Sequence, residues 1–362
     1  MVTIAIIGAN GQVGQEVCLF LSLMNDVNVV PISRTTYGTA LLTRLGLSCR
    51  VGSVENPSQA KQLLSGCDLV ADFALPRGLC ADVRRVTHTL ITSCVTNAPA
   101  GASYVYASTL MAFGTGPSEK EFSWRRIPRT IYASNKRYGE RLALRLSRKN
   151  HREAFILRLG QVHGELQQAS KGVESQMRPE TAYIPDCPAY SVFCYTIAEA
   201  LVNISRGEET PGVYSLVSSP EWTWDEMYRY FAARAGIDPE IVLVNEAPAA
   251  SSMLQRIASC PRSVRAPVAA ALRRNRELVG SVFFRFFPGS ETILRAKWLT
   301  RQASAQIAEG RRSMQYRPFA TMWGTPPGRR LAGLSDSRQT MEPAVAQVRQ
   351  SLAKLSRSLN GR

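Results

Sequence analysis

The feature that most constrains the fold of this chain is an apolar run that leads directly into three evenly spaced glycines. Ile4-Ala5-Ile6-Ile7 is typical of a buried strand, glycines follow at positions 8, 11 and 14, and an apolar helix is predicted over 12–24. Glycine permits positive φ and lets a ligand approach the backbone, and the first N–H groups of a helix attract phosphate. The order predicts a phosphate-binding loop, although glycines also end strands for structural reasons.

Strand-like and helix-like runs alternate from the amino terminus to about residue 165. The hydrophobic pattern predicts strands near 2–7, 27–32, 48–51, 68–73, 104–107 and 154–159, and helices near 12–24, 57–65, 78–92 and 130–149. Such alternation predicts an α/β fold with a doubly wound parallel sheet of the Rossmann type. A further helix is predicted over 192–206 and a strand that returns to the sheet over 212–217.

A tyrosine and a lysine stand four residues apart on the predicted helix at 130–149. Tyr132 and Lys136 therefore share one helix face, and Thr109 follows the strand at 104–107. A phenol with a pKa near 10 is a poor acid or base at neutral pH, but a neighbouring ammonium lowers that pKa. The pair could exchange a proton with a carbonyl or alcohol oxygen. A chance match remains an alternative for the isolated pair, and the glycine loop and Thr109 disfavour it.

These motifs together resemble the extended short-chain dehydrogenase/reductase superfamily, in its NAD-dependent epimerase/dehydratase group. The resemblance covers about residues 2–235 and rests on the glycine spacing, the Tyr-x-x-x-Lys pair and two longer runs, Tyr106–Gly114 and Phe155–Gly164. It implies a catalytic set of Thr109, Tyr132 and Lys136. It implies cofactor contacts from Gly8, Asn10, Gly11, Gln12, Val13, Gly14, Arg34, Phe73, Ala74, Tyr132, Lys136 and Gln161.

The chain also departs from the pattern of this family. Ser53 replaces an aspartate usual after the third strand, Asp72 and Phe73 stand where the fourth strand usually ends His-x-Ala, and Gln161 replaces an asparagine. Leu110 and Met111 follow Thr109 where the dehydratases carry acidic residues. Dehydration is therefore disfavoured, and epimerisation or carbonyl reduction remains.

The residues at the end of the second predicted strand bear on the choice of cofactor. The strand ends at Ser33-Arg34 without the acid that commonly binds a ribose 2′-hydroxyl. An arginine suits a 2′-phosphate, which favours NADP over NAD. NAD remains open, because Arg34 could equally be one more solvated arginine.

The resemblance implies an NAD(P)-dependent oxidoreductase or epimerase that acts on a sugar carbon of a nucleotide-sugar or glycolipid precursor. Two alternatives remain: an NADPH-dependent ketoreductase of a lipid-like substrate, and a non-catalytic, cofactor-holding assembly subunit. The expected domains are an NAD(P)-binding Rossmann domain over 1–165, a smaller substrate-binding region over 166–330 with 190–218 returning to the sheet, and a C-terminal amphipathic helix over 331–362.

Cysteine and histidine usage excludes several classes of site. Eight cysteines include no Cys-x-x-Cys pair, and only three histidines occur, so no metal site is expected and His163 is expected to be structural or part of a pocket wall. Free thiols favour a reducing, cytoplasmic setting. No signal peptide and no run long enough to span a membrane are expected.

The carboxy-terminal third is strongly basic. Residues 255–330 carry fifteen Arg or Lys against three Glu, and the segment includes Phe283, Phe284, Phe286 and Phe287. Such a region could contact an anionic membrane surface, receive a diphosphate-bearing substrate, or simply pack with a solvated arginine face; nucleic acid is not expected.

A final helix is predicted over 340–359, capped by Thr340. Its apolar residues recur at a strict spacing of three and four: Val345, Val348, Leu352, Leu355 and Leu359. This stripe predicts docking of the helix within the chain or pairing in a homodimer.

Overall fold

The computed structural model describes residues 1–76, 80–114, 128, 130–175, 177, 181–244 and 329–360. In chain order its elements are β1 Val2–Ile7, α1 Gln12–Leu21, β2 Val27–Ser33, α2 Thr36–Arg44, β3 Arg50–Val51, α3 Pro57–Leu63, β4 Leu69–Asp72, α4 Cys80–Asn97, β5 Ser103–Thr109, a 3₁₀ helix Leu110–Phe113, α5 Ile131–Lys149, β6 Ala154–Leu159, β7 Gln161–His163, α6 Gln168–Glu174, β8 Ala182–Pro185, β9 Ser191–Phe193, α7 Cys194–Ser205, β10 Gly212–Leu216, α8 Trp224–Ala235, β11 Ile241–Val244 and α9 Ser337–Asn360.

The central sheet has seven parallel strands in the order β10-β6-β5-β4-β1-β2-β3. The order reverses between β1 and β4, where Ile7 pairs with Asp72, and Asp72 in turn pairs with Tyr106 of β5. Crevices at the carboxyl ends of strands beside such a reversal are the usual ligand sites of open α/β sheets. The doubly wound parallel sheet predicted from the sequence is confirmed.

Helices cover both faces of this sheet because its strands are apolar on both sides. Ile4 and Ile6 of β1 belong to the hydrophobic cluster that includes α1 and α7, whereas Ala5 and Ile7 belong to the cluster that includes α4 and α5. Full burial of an isoleucine side chain stabilises a fold by about 1.5–3 kcal/mol. Successive side chains of β1 are buried in the two hydrophobic clusters on opposite faces of the sheet. This burial holds β1 in place and so fixes where the glycine loop begins.

Short strands add two small parallel sheets beside the central one. One pairs β7 with β9, and the other pairs β8 with β11. The helix predicted from residue 192 begins two residues later, at Cys194, because Ser191–Phe193 first pairs with β7. β10 joins the central sheet beside β6, as the sequence predicts for a returning strand.

Helix α9 docks against α7 and α1 of the same chain. Val345 and Val348 of the predicted apolar stripe are buried there, together with Met341. The expected cap at Thr340 is wrong, because the helix starts three residues earlier and the Asp336 carboxylate accepts a hydrogen bond from the backbone N–H of Arg338 at 3.0 Å. Docking within the chain, one of the two predicted roles of the stripe, is therefore confirmed for its first half.

Most of the basic segment predicted at 255–330, including its four phenylalanines, lies outside the described residues. None of the helices in the described ranges has the length and apolar character needed to cross a bilayer.

Candidate active site

A cleft of about 900 Å³ opens at the carboxyl ends of the central strands. Its lining brings together almost all the residues selected from the sequence: Gly8, Asn10, Gly11, Gln12, Val13, Gly14, Arg34, Phe73, Ala74, Thr109, Tyr132 and Lys136. Gln161 is the exception, since Gly160 and Val162 line the cleft on either side of it while Gln161 does not. Its backbone N–H instead donates to the Tyr190 carbonyl oxygen at 3.0 Å.

At two positions of the glycine loop, Gly8 and Gly14, a residue with a side chain would collide with neighbouring backbone. Gly8 has φ +77°, and a Cβ there would lie 2.8 Å from the backbone nitrogen of Ala74. A Cβ at Gly14 would lie 2.5 Å from the carbonyl oxygen of Gly8. Gly11 precedes α1 and no side chain caps the helix there. The first N–H groups of α1 can therefore bind a phosphate.

An arginine and a glutamate meet at the β2 end of the cleft. The Arg34 guanidinium lies 3.8 Å from Glu55 Oε1, and the Arg34 side chain is 75% exposed. Both residues line the cleft. The sequence analysis sought an acid at the end of the second strand and did not consider Glu55. Glu55 lies after the third strand in the sequence, far from the position where the acid was expected. The pairing of β2 with β3 brings the two together.

Thr109 and Tyr132 lie side by side at the opposite end of the cleft. Thr109 is the last residue of β5, and Tyr132 lies in the first turn of α5, whose cap Thr130 accepts from the Ala133 N–H at 3.1 Å. The Tyr132 residue is 42% exposed, and the rest of its surface is covered. Burial raises the pKa of the phenol, and a side-chain hydrogen bond with Thr109 opposes the rise. The phenol is therefore protonated at neutral pH.

Lys136 lies one turn further along α5 and is buried. Its Nζ donates to the Ala107 carbonyl oxygen at 2.6 Å and lies 4.9 Å from the centroid of the Tyr106 ring. Burial lowers the pKa of the ammonium, while the charges of Asp72 and Glu140 act in the opposite direction. The expected lowering of the Tyr132 pKa by Lys136 is wrong. Burial of the phenol has the largest effect on that pKa and raises it, and the Lys136 ammonium donates its hydrogen bond to the Ala107 carbonyl oxygen of β5.

A buried ion pair fixes α5 behind these two side chains. Arg158 of β6 donates through Nε and a terminal nitrogen to the two carboxylate oxygens of Glu140, at 2.9 and 2.8 Å. The Ser108 hydroxyl of β5 donates to the same carboxylate at 2.5 Å. Removing one partner of such a pair costs about 3–5 kcal/mol, because the other charge is left buried. The helix that carries Tyr132 and Lys136 is thus anchored to both neighbouring strands.

Glu16 of α1 is hydrogen-bonded to the segment that follows β7, residues 165–167. Its buried carboxylate accepts from the backbone N–H groups of Glu165 and Leu166, at 2.6 and 3.0 Å, and from Gln167 Nε2 at 2.8 Å. Gln167 Nε2 also donates to the Gln12 carbonyl oxygen at 3.0 Å. Burial raises the pKa of Glu16, and these hydrogen bonds oppose the rise.

His163 is fully buried just outside the cleft lining. The rings of Phe193, Trp224 and Phe231 surround it, and Ser170 Oγ lies 3.3 Å from its Nδ1. Burial lowers the pKa of the imidazole to about 3. His163 is therefore neutral and structural. Within the described ranges, no cluster of His, Cys, Asp and Glu could hold a metal ion.

The first half of the chain matches a known protein family. Residues 4–179 match the model of the NAD dependent epimerase/dehydratase family. This part of the chain belongs to that family. The resemblance inferred from the glycine, threonine and tyrosine-lysine motifs is thereby confirmed over residues 4–179, the part of the chain that carries the enzyme scaffold of this family.

Solved structures share the same fold at low sequence identity. UDP-glucuronic acid 4-epimerase from Bacillus cereus in complex with NAD is 17% identical over 67% of this chain and 87% of that chain, with a TM-score of 0.50. The same enzyme with UDP-glucuronic acid and NAD is 18% identical over 67% and 86%, also with a TM-score of 0.50. At these identities the similarity concerns the fold alone. Among curated protein sequences, none matches this chain.

Proposed function

We propose that this protein is an NAD(P)-dependent epimerase or reductase that acts on a sugar carbon of a nucleotide-sugar or glycolipid precursor. The observation that carries the proposal is the convergence of Thr109, Tyr132 and Lys136 on the cleft that the glycine loop borders. A purely cofactor-holding subunit has no need of a proton-transfer set in that place. The structural neighbours whose names specify UDP-sugar 4-epimerases support the sugar substrate.

The glycine loop would hold the pyrophosphate of the cofactor. Gly8 and Gly14 leave space that a Cβ would fill, and Gly11 leaves the start of α1 without a side-chain cap. Phe73 and Ala74 would form the wall beside it, because Ala74 packs against Gly8. When bound, the nicotinamide supplies an acceptor and donor of hydride.

Arg34 supports NADP as the cofactor, and Glu55 opposes it. A guanidinium can bind a 2′-phosphate through charge-assisted hydrogen bonds. Glu55 already pairs with Arg34 at 3.8 Å and would repel a phosphate brought to the same place. This ion pair is weak because the Arg34 side chain is exposed and the distance between the two charged groups is long for a salt bridge. A 2′-phosphate could therefore displace Glu55. NADP is therefore proposed, with NAD as the alternative.

Tyr132 would move the proton and Thr109 would hold the substrate oxygen. The phenol is protonated at rest, so it is ready to donate to a carbonyl oxygen. It would become a base when the positive charge of an oxidised nicotinamide lies beside it, because a nearby positive charge favours the phenolate. Lys136 would also contact the nicotinamide ribose.

The residues after Thr109 support epimerisation or reduction over dehydration. Leu110 is buried, and Met111 is 47% exposed. Neither side chain can act as the acid or base that elimination of water requires. A hydride transfer with one proton transfer needs only the tyrosine.

The domain boundaries at 165 and 330 remain proposals, with 1–165 assigned to the cofactor and 166–330 to the substrate. The anionic partner of the basic segment at 255–330, a diphosphate-bearing substrate or a membrane surface, stays a prediction, as does a homodimer.

The test begins with small molecules released from the purified protein, measured by mass spectrometry. Retained NAD(P) and a UDP-sugar would support the proposal. Incubation with UDP-glucose, UDP-N-acetylglucosamine and UDP-glucuronic acid, followed by NMR of the products, would then detect inversion at a sugar carbon. NADPH consumption only with lipid-like ketones would favour the ketoreductase instead, and cofactor binding without turnover of any substrate would favour the assembly subunit.

A further inference from the structure

The ammonium of Lys136 lies over the face of a buried aromatic ring. Its Nζ is 4.9 Å from the centroid of the Tyr106 ring and donates to the Ala107 carbonyl oxygen at 2.6 Å. Lys136 is 7% exposed and Tyr106 is 3% exposed. Burial of a charge is unfavourable unless other groups stabilise it, and one carbonyl oxygen satisfies only one of the three ammonium protons. The ring is therefore a second source of stabilisation.

A glycine in the middle of α5 makes room for this ring. Gly139 lies three residues after Lys136, and a Cβ at that position would lie 2.6 Å from Cζ and 3.0 Å from Cε1 of Tyr106. Glycine is unfavourable inside a helix, so its use here calls for a packing reason. The missing side chain lets the Tyr106 ring lie against the helix beside the lysine.

Tyr106 attracts the ammonium through its π face and not through a negative charge. Burial raises the pKa of the Tyr106 phenol well above its usual range, so the ring is neutral. The face of a neutral aromatic ring carries negative electrostatic potential, which attracts a cation within about 6 Å and does so most strongly where water is excluded. This attraction favours the charged lysine, whereas burial lowers the pKa of Lys136.

Other ionisable groups are buried or partly buried on α5 and on the elements around it. They are Asp72 of β4, Cys94 of α4, Tyr104 of β5, Tyr132, Arg137, Tyr138 and Glu140 of α5, and Arg158 of β6. The charges of Asp72 and Glu140 raise the pKa of Lys136. None of these groups is altered when the Tyr106 side chain is replaced, so variants at this position isolate the contribution of the ring.

We propose that Tyr106 is a positioning residue that acts through Lys136, holding the ammonium charged and in place beside the cleft by a cation–π contact. Lys136 and Ala107 line the cleft and Tyr106 does not, so the ring acts on a bound molecule only through the lysine. The proposal rests on the proposed function in giving Lys136 a part in cofactor binding. In the rival, purely structural role, Tyr106 would only fill the hydrophobic core. The two roles differ in whether the electrons of the ring matter when its shape is kept.

The contact is tested first without cofactor, by NMR titration of protein with isotope-labelled lysine, with Lys136→Met identifying the signal. Phenylalanine analogues with one, two and three fluorine atoms, introduced at position 106, weaken the negative potential of the ring face and change its size little. Tyr106→Phe should leave the pKa of Lys136 nearly unchanged, and the fluorine series should lower it stepwise by about one pH unit in all. A constant pKa across the series would overturn the proposal, as would an equally large fall in Tyr106→Phe.

The same fluorinated analogues at Phe155 are the matched control. Phe155 of β6 is fully buried, but it belongs to the other of the two large hydrophobic clusters from Tyr106. The analogues at Phe155 should leave the pKa of Lys136 unchanged, whatever they do to the unfolding temperature. A fall equal to that seen at position 106 would mean that fluorination acts through a general loss of packing, against the proposal.

Gly139→Ala tests the geometry from the helix side. The added Cβ should displace the ring and lower both the unfolding temperature and the pKa of Lys136. In Tyr106→Leu, which removes the ring, the same substitution should no longer lower the pKa of Lys136. Equal falls in the two backgrounds would show that the helix controls the lysine without the ring, and would overturn the proposal.

Cofactor binding gives the second readout. Calorimetric titration with NAD and with NADPH should show affinity that falls as pH rises through the Lys136 pKa. The trifluorinated analogue at position 106 should move that fall to lower pH by the shift that NMR records, whereas equal weakening at every pH would assign Tyr106 the structural role. If Lys136→Met binds both cofactors as the wild type does, the proposed role of Lys136 fails, while the NMR shift would still support the contact with the ring.

Discussion

The ammonium of Lys136 donates a 2.6 Å hydrogen bond to the Ala107 carbonyl oxygen, one turn along α5 from Tyr132. The lysine therefore stands behind the tyrosine, bound to β5, and does not share a hydrogen bond with the phenol in the described structure. In this arrangement, any effect of Lys136 on the phenol would act through charge and not through a shared hydrogen bond.

Tyr132→Phe should abolish turnover and leave cofactor binding nearly intact, because it removes only the hydroxyl that moves the proton. Loss of a general acid or base costs about 10²–10⁴ in rate. Once a substrate is known, kcat/KM and calorimetric cofactor affinity would be measured on the same preparation. Near-normal turnover in this variant would contradict the assignment. Lys136→Met should reduce both quantities.

Cofactor choice should depend on Arg34 and Glu55 in opposite directions. Arg34→Ala should weaken NADPH binding by about 1.5–3 kcal/mol and leave NADH binding little changed, because only the 2′-phosphate loses a charged hydrogen bond. Glu55→Gln should strengthen NADPH binding selectively, since it removes the competing carboxylate. Dissociation constants by fluorescence titration would check both.

Arg44→Ala is the control for this pair, because Arg44 is exposed at the end of α2 and does not line the cleft. Equal affinity of the wild type for NADPH and NADH would show that Arg34 does not bind the 2′-phosphate.

Acid should destabilise the fold through His163. Its pKa is lowered from 6.5 to about 3 by burial, so the unfolded chain binds a proton that the folded chain excludes. The contribution of His163 is complete above the unfolded pKa and is lost as pH falls towards the folded pKa, by about 1.4 kcal/mol per pH unit. His163→Asn should flatten the dependence of unfolding free energy on pH in that window, as measured by urea titration.

His88→Gln is the matched control, since His88 is an exposed residue of α4. An unchanged slope in His163→Asn would mean that other groups control acid unfolding. Glu16 and Asp72, whose pKa values are raised, act with the opposite sign and are common to all three proteins.

Gly14→Ala should damage both folding and cofactor binding. The added Cβ would lie 2.5 Å from the Gly8 carbonyl oxygen, so the loop would have to open. Gly172→Ala is the control: it lies inside α6 with open space around it and should stabilise the helix by about 0.5–1 kcal/mol. The unfolding temperature should therefore fall in Gly14→Ala and rise in Gly172→Ala, and only Gly14→Ala should weaken NAD(P) binding. Unimpaired binding in Gly14→Ala would contradict the assignment of the phosphate loop.

Features carried by contiguous residues could be predicted from the sequence. Apolar β1, the three glycines and α1 are consecutive, and the periodicity of each long element shows which of its faces is buried. The spacing of Tyr132 and Lys136 places both on one face of α5 whatever the rest of the chain does. Strands of two or three residues, such as β3 and β7, carry too little periodicity to predict where they pair.

Contacts between distant segments could not be predicted. Glu16 meets Gln167 only because α1 and the segment after β7 border one cleft, and Glu55 meets Arg34 only because β3 pairs with β2. The pKa of Tyr132 depends on burial, which no local pattern reports. The sequence by itself determined the sheet type, the glycine spacing after β1 and the shared helix face of Tyr132 and Lys136, because local spacing sets them. Only the tertiary structure decided which charges face one another, because Arg158 and Glu140 meet only when β6 pairs with β5 and α5 packs over both strands.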